Sequence, residues 1–459
     1  MAKKYKLSLF IFRRDLRIED NTALNLAIKN SDKVIACFIF DPRLADENRK
    51  HFNPNAFQFL LECLDDLGEQ LKSRNGSLIL LSGLPEDIIK DLKGKHEIDA
   101  VFFNKDYTPF SRKRDSAIIK SCEDSGIDIV SCHDALLHEP GTVLTNEGKT
   151  YSVFSQFFKK ASQKGISFPK TAEGGQIYSG ILDVDQVEIS DFSIERNTSL
   201  FTKGGRSHAL SVLQDISGFS NYDNERDYPS IAGTTGLSAH NKLGTISVRE
   251  FYHYVENELG KAHTLINELH WRDFFTHIAV AHPYVFTGAF KKKFDSLSWS
   301  DDDKLFDAWC RGQTGFPIVD AGMRELNTTG YMHNRVRMIV SSFLVKDLHI
   351  DWKWGERYFA SRLVDYDPCV NNGNWQWAAS TGADSQPYFR IFNPWLQQKK
   401  FDPDCLYIKK WVPELEALSP KAIHSMEKGQ QLLGVDYPQP LVVHSEERNV
   451  ALTAFKSVG

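Results

Sequence analysis

The sequence lacks the features of secreted and membrane-spanning proteins. Residues 1–6 contain no apolar core of the kind that a signal peptide needs, and no run approaches about eighteen uninterrupted apolar residues. The seven cysteines are odd in number and no two are spaced as C-x-x-C, so neither a disulfide framework nor a zinc site is indicated. We therefore expect a cytoplasmic protein with no membrane anchor and no bound metal.

Two further absences concern charge and nucleotide binding. The formal net charge is −5, so composition alone does not indicate nucleic acid, and any DNA-binding face must be a local basic patch. No G-x-G-x-x-G follows the first apolar run, which argues against a dinucleotide dehydrogenase. The front half contains no tryptophan, whereas all nine lie between Trp271 and Trp411. In a chain of 459 residues this asymmetry suggests two domains with different roles.

In the front half of the chain, short apolar runs alternate with segments whose apolar residues have helical spacing. Stretches such as residues 55–73 and 111–125 have helical spacing and separate the runs, which lie at residues 7–12, 34–40, 77–82, 100–104 and 127–131. This alternation predicts a doubly wound, mostly parallel sheet. Later in the chain the spacing is helical, and Ser247 with Glu250 forms a capping box before an aromatic run. We expect an α/β domain followed by an all-α domain.

The predicted domain boundaries follow from these patterns. Residues 1–135 form the α/β domain, residues 136–204 the connecting linker, and residues 205–459 the helical domain. Within the linker, residues 170–203 mix small and charged residues without a sustained period.

The most informative stretch is residues 365–394, which read D-Y-D-P-C-V-N-N-G-N-W-Q-W-A-A-S-T-G-A-D-S-Q-P-Y-F-R-I-F-N-P. Two carboxylates, an Asn pair and two tryptophans around a Gln fit neither an amphipathic helix nor an alternating strand. One interpretation is a solvated loop leading into a core helix whose tryptophans only fill space. The whole string, however, closely resembles the flavin-binding and lesion-facing segment of the photolyase and cryptochrome family, in particular class I cyclobutane pyrimidine dimer photolyases.

The resemblance implies roles for residues in and near this stretch. Asp365, Tyr366 and Asp367 would contact the flavin and its ribityl region, with Arg337 as the ion-pair partner of Asp365. Asn371 would face flavin N5 as a catalytic residue. Trp377 would form one wall of the lesion pocket. Arg226, Arg390 and Gln397 would contact the DNA backbone.

A turn at residues 234–238 places hydroxyls and a glycine before a helix. Thr234, Thr235 and Ser238 could contact phosphate oxygens together with free backbone N–H groups, although such residues are usually only caps. The turn is similar to the family's pyrophosphate-holding T-S-x-L-S, differing at Thr235. The resemblance implies that this turn, including Gly236 and Leu237, and also Tyr222 bind the FAD cofactor.

Residues 268–274 read E-L-H-W-R-D-F. Glu268 and Arg272 are four residues apart, so a simple helix-surface ion pair is one interpretation. The string is also similar to the family pattern E-L-x-W-R-[ED]-F. That similarity implies a catalytic Glu268 hydrogen-bonded to the damaged pyrimidines, Trp271 as a lesion wall, and Arg272 on the flavin side.

Residues 331–338 read Y-M-H-N-R-V-R-M. The helical period places Asn334 and Met338 on one face and directs Arg335 elsewhere. Dimer photolyases carry H-N-R-x-R-M here, as this chain does, whereas enzymes that repair (6-4) photoproducts carry a His pair. The resemblance implies that Asn334 contacts both flavin and lesion, and that Arg335 and Met338 contact the DNA or lesion. Tyr331 departs from the Trp of many relatives.

The front domain offers a second chromophore site. Residues 12–21, F-R-R-D-L-R-I-E-D-N, resemble the family's opening motif, and their charges should pair across the strand end and cap the next helix. Residues 104–109 follow a strand at the edge where an open α/β sheet has its crevice. Relatives can hold a light-harvesting antenna in this domain. Because Thr108 replaces the Glu of folate-binding relatives, a deazaflavin or second flavin is at least as plausible as a folate, and absence of an antenna stays open.

The resemblance finally implies an activity and an electron path. The protein would repair cyclobutane pyrimidine dimers in UV-damaged DNA with light and reduced FAD, acting as a monomer. Trp375, Trp352 and Trp299 match the tryptophans that carry electrons to oxidised flavin in relatives, although each could also be core filler. The alternatives are a cryptochrome-type photoreceptor and a (6-4) photolyase.

Overall fold

The computed structural model describes residues 3–46, 52–172, 176–180, 182–428 and 434–458. The chain divides into two compact units. The front unit comprises Met1–Arg196, Thr202–Gly218 and Thr235–Ala281, and the rear unit comprises Asn197–Phe201, Phe219–Thr234 and His282–Gly459. Both units therefore draw on residues from the region after 204, and the predicted boundaries at 135 and 204 stay a prediction about domains.

The front unit contains a parallel sheet. Its strands are β1 (Tyr5–Phe12), β2 (Ser31–Phe40), β3 (Leu78–Ser82), β4 (Ala100–Asn104), β5 (Asp128–Cys132) and the short β6 (Gln176–Ile177). The main order is β3-β2-β1-β4-β5, β6 pairs with β2, and every pairing is parallel. Strands β1 and β2 are nearly continuous apolar runs because helices cover both faces of such a sheet. The predicted doubly wound sheet is confirmed.

The described helices alternate with the strands in the front part of the chain and continue through the later part. In order they are α1 (Thr22–Asn30), α2 (Pro42–Ala45), α3 (Pro54–Lys72), α4 (Pro85–His96), α5 (Pro109–Asp124), α6 (Phe154–Ala161), α7 (Arg206–Gln214), α8 (Tyr222–Glu225), α9 (Ser238–Leu243), α10 (Val248–Leu259), α11 (Thr264–Ala281), α12 (Asp303–Arg311), α13 (Pro317–Thr329), α14 (Asn334–Lys346), α15 (Trp352–Arg362), α16 (Pro368–Ala378), α17 (Pro394–Phe401), α18 (Leu406–Trp411), α19 (Pro420–Ser425) and α20 (His444–Ser457). No described helix is both long and apolar enough to cross a bilayer.

Local sequence signals explain several helix starts. The predicted capping box is present, since Ser247 Oγ accepts from the Glu250 backbone N–H and the Glu250 carboxylate accepts from the Ser247 N–H. Asn21 caps α1 from the charged opening motif. The predicted linker, residues 136–204, includes α6, which packs against α11. From residue 205 onward the described regular elements are helices, so the predicted all-α character of the later chain is confirmed.

Each unit contains a large apolar core of its own. In the front unit, Leu9, Ile35 and Val101 are fully buried between the sheet and its helices. In the rear unit, the core is rich in large aromatics, and Trp309 and Trp375 are almost completely buried in it. Aromatic side chains each bury a large apolar area, so this core supplies much of the rear unit's stability.

Candidate functional site

Helix α11 positions three predicted site residues of the front unit. Glu268, Trp271 and Arg272 lie within about one turn of each other, because 3.6 residues make a turn. Arg272 donates to the main-chain oxygens of Ala135 at 2.5 Å and Asn241 at 3.0 Å. These bonds fix the guanidinium against the end of α9. Trp271 is partly buried and stacked on an aromatic ring of α6.

The predicted pyrophosphate turn has the backbone that its sequence requires. Gly236 adopts a φ of +65°, the left-handed region that glycine enters without steric cost. The Leu237 N–H reaches Thr235 Oγ1 at 3.4 Å, and no side chain hydrogen-bonds back to cap α9 from the Leu237 position. Thr235 and Ser238 keep exposed surface. Thr234 belongs to the rear unit.

This turn fits the phosphates of a dinucleotide cofactor such as FAD. It offers hydroxyls and N–H groups, which are the donors that phosphate oxygens accept. In α9, Asn241 Oδ1 is buried and has no hydrogen-bond partner among the described residues. A buried carbonyl oxygen without a donor is costly, so a ligand donor at this position would relieve the cost.

In the rear unit, the predicted ion pair between Arg337 and Asp365 is confirmed. Arg337 Nη2 lies 2.9 Å from Asp365 Oδ2, and Nη1 lies 3.3 Å from Oδ1, a two-pronged contact. Burial alone would lower the pKa of Arg337, but the charge and hydrogen bond of Asp365, together with Tyr331 and Glu325, outweigh burial and the pKa rises. Two residues later, Asp367 caps α16 by accepting from the Cys369 and Val370 N–H groups. The two carboxylates of D-x-D therefore have different structural partners.

Asn371 is held by a residue that sequence reasoning missed. Its Nδ2 donates to Glu356 Oε1 at 2.9 Å and to the Glu356 main-chain oxygen at 3.2 Å. Tyr366, a predicted cofactor contact, donates to the same carboxylate at 3.4 Å. Burial raises the pKa of Glu356, and the two donated hydrogen bonds oppose that rise. The only sequence signal was a Glu directly after Gly355 in an aromatic helix, which is too common to single out.

Helix α14 carries the predicted Asn334, Arg335 and Met338. Asn334 Nδ2 lies 3.9 Å from Met338 Sδ, so the two side chains share a face as predicted. Arg335 points elsewhere: its Nη2 lies 2.6 Å from Asp227, and its guanidinium lies 4.4 Å from the centre of the Phe401 ring. A DNA contact by Arg335 stays a prediction and would have to compete with this ion pair.

Tyr331, the departure from the family pattern, is tightly packed. Its ring stacks on Phe201 with centroids 3.7 Å apart and planes at 10°, and its hydroxyl hydrogen-bonds Thr234. The Arg337 guanidinium lies 5.2 Å from the ring centre. Burial raises the pKa of Tyr331 to about 12, so the phenol stays neutral near pH 7. A smaller ring with a hydrogen-bonding tip thus takes the place of an indole.

The three predicted electron-transfer tryptophans all touch the rear core. Trp375 and Trp352 are 2% and 3% exposed, and Trp299 packs partly exposed against the same core. The segment after Trp299 lies near the start of α15 in space, because the Ser300 N–H donates to the His349 carbonyl at 2.7 Å. Burial thus decreases from Trp375 to Trp299, as a path from interior to surface requires.

The remaining predicted DNA-facing residues lie on loops and short helices of the rear unit. Arg226 lies 5.5 Å from the centre of the Tyr222 ring, which is buried. Arg390 is exposed, whereas Gln397 on α17 and Trp377 on α16 are partly exposed. Their surface positions are compatible with phosphate or base contacts, which stay predictions.

Residues after β4 are mostly engaged within the front unit. Asn104 Nδ2 donates to Asp15 at 2.6 Å, and Asp106 pairs with Arg14 at 3.1 Å, as the predicted charge pairing of the opening motif requires. Tyr107 shares a 2.7 Å hydrogen bond with His133 Nδ1. Thr108 caps α5. No cluster of three or more His, Cys, Asp or Glu among the described residues has the arrangement of a metal site.

Comparison with protein-family models covers most of the chain. Residues 8–173 match the model described as DNA photolyase, and residues 265–457 match the FAD binding domain of DNA photolyase. Deoxyribodipyrimidine photo-lyase of Alkalihalophilus pseudofirmus is 37% identical, with 99% of each chain covered.

Solved structures agree with this match. An archaeal photolyase from Sulfolobus tokodaii with two FAD molecules has a TM-score of 0.88 and 41% identity, covering 98% of this chain and 100% of that chain. A class III photolyase from Agrobacterium tumefaciens has a TM-score of 0.90 and 34% identity, covering 100% of this chain and 98% of that chain.

The chain has a parallel sheet in its front part and a helical region that matches an FAD-binding domain. This combination defines a two-part flavoprotein. The full-length similarity then identifies the family: the chain belongs to the DNA photolyases.

Proposed function

We propose that this protein is a deoxyribodipyrimidine photo-lyase that repairs cyclobutane pyrimidine dimers in DNA with light. The observation that carries the proposal is the arrangement of α14 and its partners. Asn334 and Met338 share one face, and Arg337 pairs with Asp365 beside the start of α16. The string H-N-R-x-R-M, which contributes Asn334 and Met338, resembles that of dimer photolyases, whereas the Arg337–Asp365 pair supports flavin binding. Full-length relatives named deoxyribodipyrimidine photo-lyase support the proposal.

The hard chemistry belongs to FAD, which supplies one electron from its photoexcited reduced form. The chain's own contribution is placement. Arg337, which pairs with Asp365, and the turn at residues 234–238 would hold the cofactor, and Asn371, whose amide is held by Glu356, would contribute a neutral amide to the flavin site. Holding the partners in position removes most of the entropic barrier to a transfer between them.

Lesion binding requires that the dimer leave the duplex, because photolyases are among the enzymes that flip their target out of the stack. Flipping costs a few kcal/mol, and base–aromatic stacking at about 1–3 kcal/mol per base can offset that cost. Trp271 and Trp377 are the proposed stacking partners. Glu268 is the proposed hydrogen-bond acceptor for the pyrimidine N–H groups.

Repair by the flavin-loaded protein tests the proposal directly. The purified protein should show a flavin absorption spectrum and restore a dimer-containing oligonucleotide under blue light. Glu268→Ala should keep its FAD yet lose roughly ten- to hundredfold in dimer binding or repair, since a charged hydrogen bond is worth about 1.5–3 kcal/mol. Full repair by Glu268→Ala would return Glu268 to a surface ion pair, and no repair by the unchanged protein would overturn the proposal.

The rival function is a cryptochrome-type photoreceptor that keeps FAD and signals through partners. Relatives specialised for signalling often carry Asp or Cys at the position of Asn371. The combination of Glu268, Asn334, Met338 and Asn371 favours repair over signalling. A (6-4) photolyase is less well supported, because residues 331–338 lack the His pair. Placement in class I, among dimer photolyases, stays a prediction.

We also propose that the front unit holds a flavin as antenna. Thr108 caps α5 with its side chain, in the position where folate-binding relatives carry a Glu. The structure of the Sulfolobus tokodaii photolyase contains two FAD molecules, with the implication of a novel light-harvesting cofactor. Chromatography of chromophores released from the purified protein should yield more than one flavin per chain. A deazaflavin, a folate or a single FAD would each contradict this assignment.

The proposed setting is a monomer in the cytoplasm. Seven free cysteines, six of them buried, suit a reducing compartment. DNA damaged by UV light is the proposed partner. Light scattering of the protein with and without such DNA would measure its molar mass and so test whether it is a monomer.

A further inference from the structure

Helix α6 is amphipathic, and its apolar face lies on α11. Positions 154, 157, 158 and 161 follow the i, i+3, i+4, i+7 spacing of one helical face. Phe157 is fully buried and meets the rings of Phe274 and His277 at 5.6 and 5.0 Å. Phe158 meets His270 edge-on at 5.0 Å. The helix is therefore held firmly against the element that carries Glu268 and Trp271.

The first residue of α6 covers one face of the lesion-facing indole. The rings of Phe154 and Trp271 are 3.7 Å apart and only 7° from parallel. Phe274 meets the same indole edge-on at 5.6 Å, and Phe275 lies at 5.4 Å. These contacts hold the indole plane in place within the front unit. An indole whose orientation is already set loses less entropy when a base stacks on it.

The chain around α6 is basic in an acidic protein. Residues 148–172 contain five lysines and no Asp or Glu, although the whole chain has a net charge of −5. Lys149 pairs with Glu147. Lys159, Lys164 and Lys170 are exposed and Lys160 is partly exposed, and these four form no ion pair with the described residues. We name residues 148–172 the lysine segment.

We propose that the lysine segment binds the phosphate backbone of the DNA strand beside the lesion, and that Phe154 couples this contact to the orientation of Trp271. The proposal rests on the proposed function, in which Trp271 faces the dimer. An α-helix with its side chains is about 10–12 Å across. Lys159 and Lys160, on the outer face of α6, therefore lie within a few nucleotides of a base that stacks on Trp271. Unpaired ammonium groups gain from phosphate contact mainly by releasing counterions.

The lysine segment is tested by the salt dependence of DNA binding. In the flavin-loaded protein, Lys159, Lys160 and Lys164 are replaced together by Ala, and affinity for dimer-containing and undamaged duplexes is measured across salt concentrations. We expect the log–log salt slope to fall by about 2–3, with both duplexes bound more weakly and FAD content unchanged. An unchanged slope would overturn the proposal.

A matched triple variant controls for the loss of net charge. Lys90, Lys113 and Lys120 are exposed lysines on α4 and α5 of the same unit. Their replacement by Ala removes the same charge and should leave the slope near that of the unchanged protein. An equal fall in both triple variants would show a general charge effect and would also overturn the proposal. Failure of the proposed function is recognised separately, because the unchanged protein would then repair no dimers. Failure of the lysine-segment proposal would leave repair by the unchanged protein intact.

The coupling through Phe154 has its own readout. Phe154→Ala should reduce the preference for dimer-containing over undamaged duplex about two- to tenfold, as expected for the loss of one aromatic pair. Phe154→Tyr keeps a ring and should restore the preference. Phe154→Leu provides a second test if the Ala variant does not fold. A normal preference in a folded Ala or Leu variant would overturn the coupling.

Discussion

Asn371 shows how one buried carboxylate sets the direction of an amide. An ionised carboxylate only accepts hydrogen bonds, so the contact with Glu356 requires the NH₂ end of Asn371 to face it and directs Oδ1 elsewhere. Burial raises the pKa of Glu356, but the donors Asn371 and Tyr366 favour its charged form. The amide orientation thus depends on a residue that was not itself a predicted site residue.

Glu356→Gln should loosen this orientation. The side chain of a Gln can donate as well as accept, so only the main-chain oxygen of residue 356 still favours one orientation of the Asn371 amide. The charged hydrogen bond, worth about 1.5–3 kcal/mol, is lost. We expect FAD content to be retained while the flavin reduction potential shifts and repair slows. Potentiometry of the purified variant measures the shift. A potential equal to that of the unchanged protein would limit Glu356 to packing.

Trp375 is predicted to be the first tryptophan that donates an electron to photoexcited oxidised flavin. Trp375→Phe keeps most of the packing volume but removes the easily oxidised indole. We expect photoreduction of oxidised FAD to be blocked, while repair by chemically reduced protein continues. Transient absorption and repair assays measure the two outcomes separately.

Trp309→Phe is the matched control for this experiment. Trp309 is fully buried and its ring lies 6.2 Å from that of Trp375, yet it is outside the predicted path. Photoreduction should survive this change. Normal photoreduction in Trp375→Phe would disprove the path, whereas loss of repair as well would show that Trp375 mainly supports the pocket.

Helices α15 and α16 pack closely because one position between them has no side chain. A Cβ placed on Gly355 would lie 2.1 Å from Trp375 Cη2 and 2.6 Å from Leu344 Cδ2. Glycine is normally unfavourable inside a helix by about 1 kcal/mol relative to alanine. The close approach of the indole explains why glycine nevertheless occupies this position in α15.

Gly355→Ala should therefore destabilise the protein. Overpacking costs about 1–3 kcal/mol, and a contact of 2.1 Å with a buried indole belongs at the upper end of that range, above the gain of about 1 kcal/mol in helix propensity. A lower urea midpoint would confirm the expectation. Gly68→Ala in α3 is the control, because a Cβ there meets no atom within 4 Å, and its midpoint should rise or stay unchanged. A Gly355→Ala midpoint as high as that of Gly68→Ala would contradict the packing argument.

On the scale of the whole molecule, the front unit relies on a buried cluster of ion pairs. Asp134 accepts from Arg17 at 2.5 Å and from Arg249 at 2.8 Å, and Arg249 also reaches Asp20 at 2.7 Å. Burial opposes the charge of Asp134, but the two guanidinium groups outweigh it and hold its pKa well below the usual range. The cluster joins the opening motif, the segment after β5 and helix α10.

Asp134→Asn should cost about 3–5 kcal/mol of the free energy of unfolding near pH 7, because it leaves buried cations without their partner. Since the folded pKa of Asp134 is depressed, its stabilisation is complete above the pKa of the unfolded chain and is lost as pH falls toward the folded value. The difference between variant and unchanged protein should thus shrink below about pH 4. Urea unfolding at several pH values measures this trend.

The exposed pair Lys4–Asp128 provides the comparison. Asp128→Asn should change stability little, because solvent screens exposed ion pairs. An Asp134→Asn variant as stable as Asp128→Asn at pH 7 would show that the buried cluster does not stabilise the fold.

The sequence by itself determined what depends on short-range periodicity and on matched motifs. It specified the parallel sheet, the helical later chain, the capping box at Ser247 and the family, because backbone periods and helix caps act over a few residues. The ion pair of Arg337 with Asp365 could also be predicted, since both residues belong to recognised motifs.

Only the tertiary structure decided which distant side chains touch. Glu356 on Asn371, Phe154 on Trp271, and the close contact of Gly355 with Trp375 have no local signal. Such contacts are selected when close packing brings particular volumes and hydrogen-bonding groups together across the fold. A helix period states which face of α6 is apolar, but only the packed chain determines that this face covers the indole of Trp271.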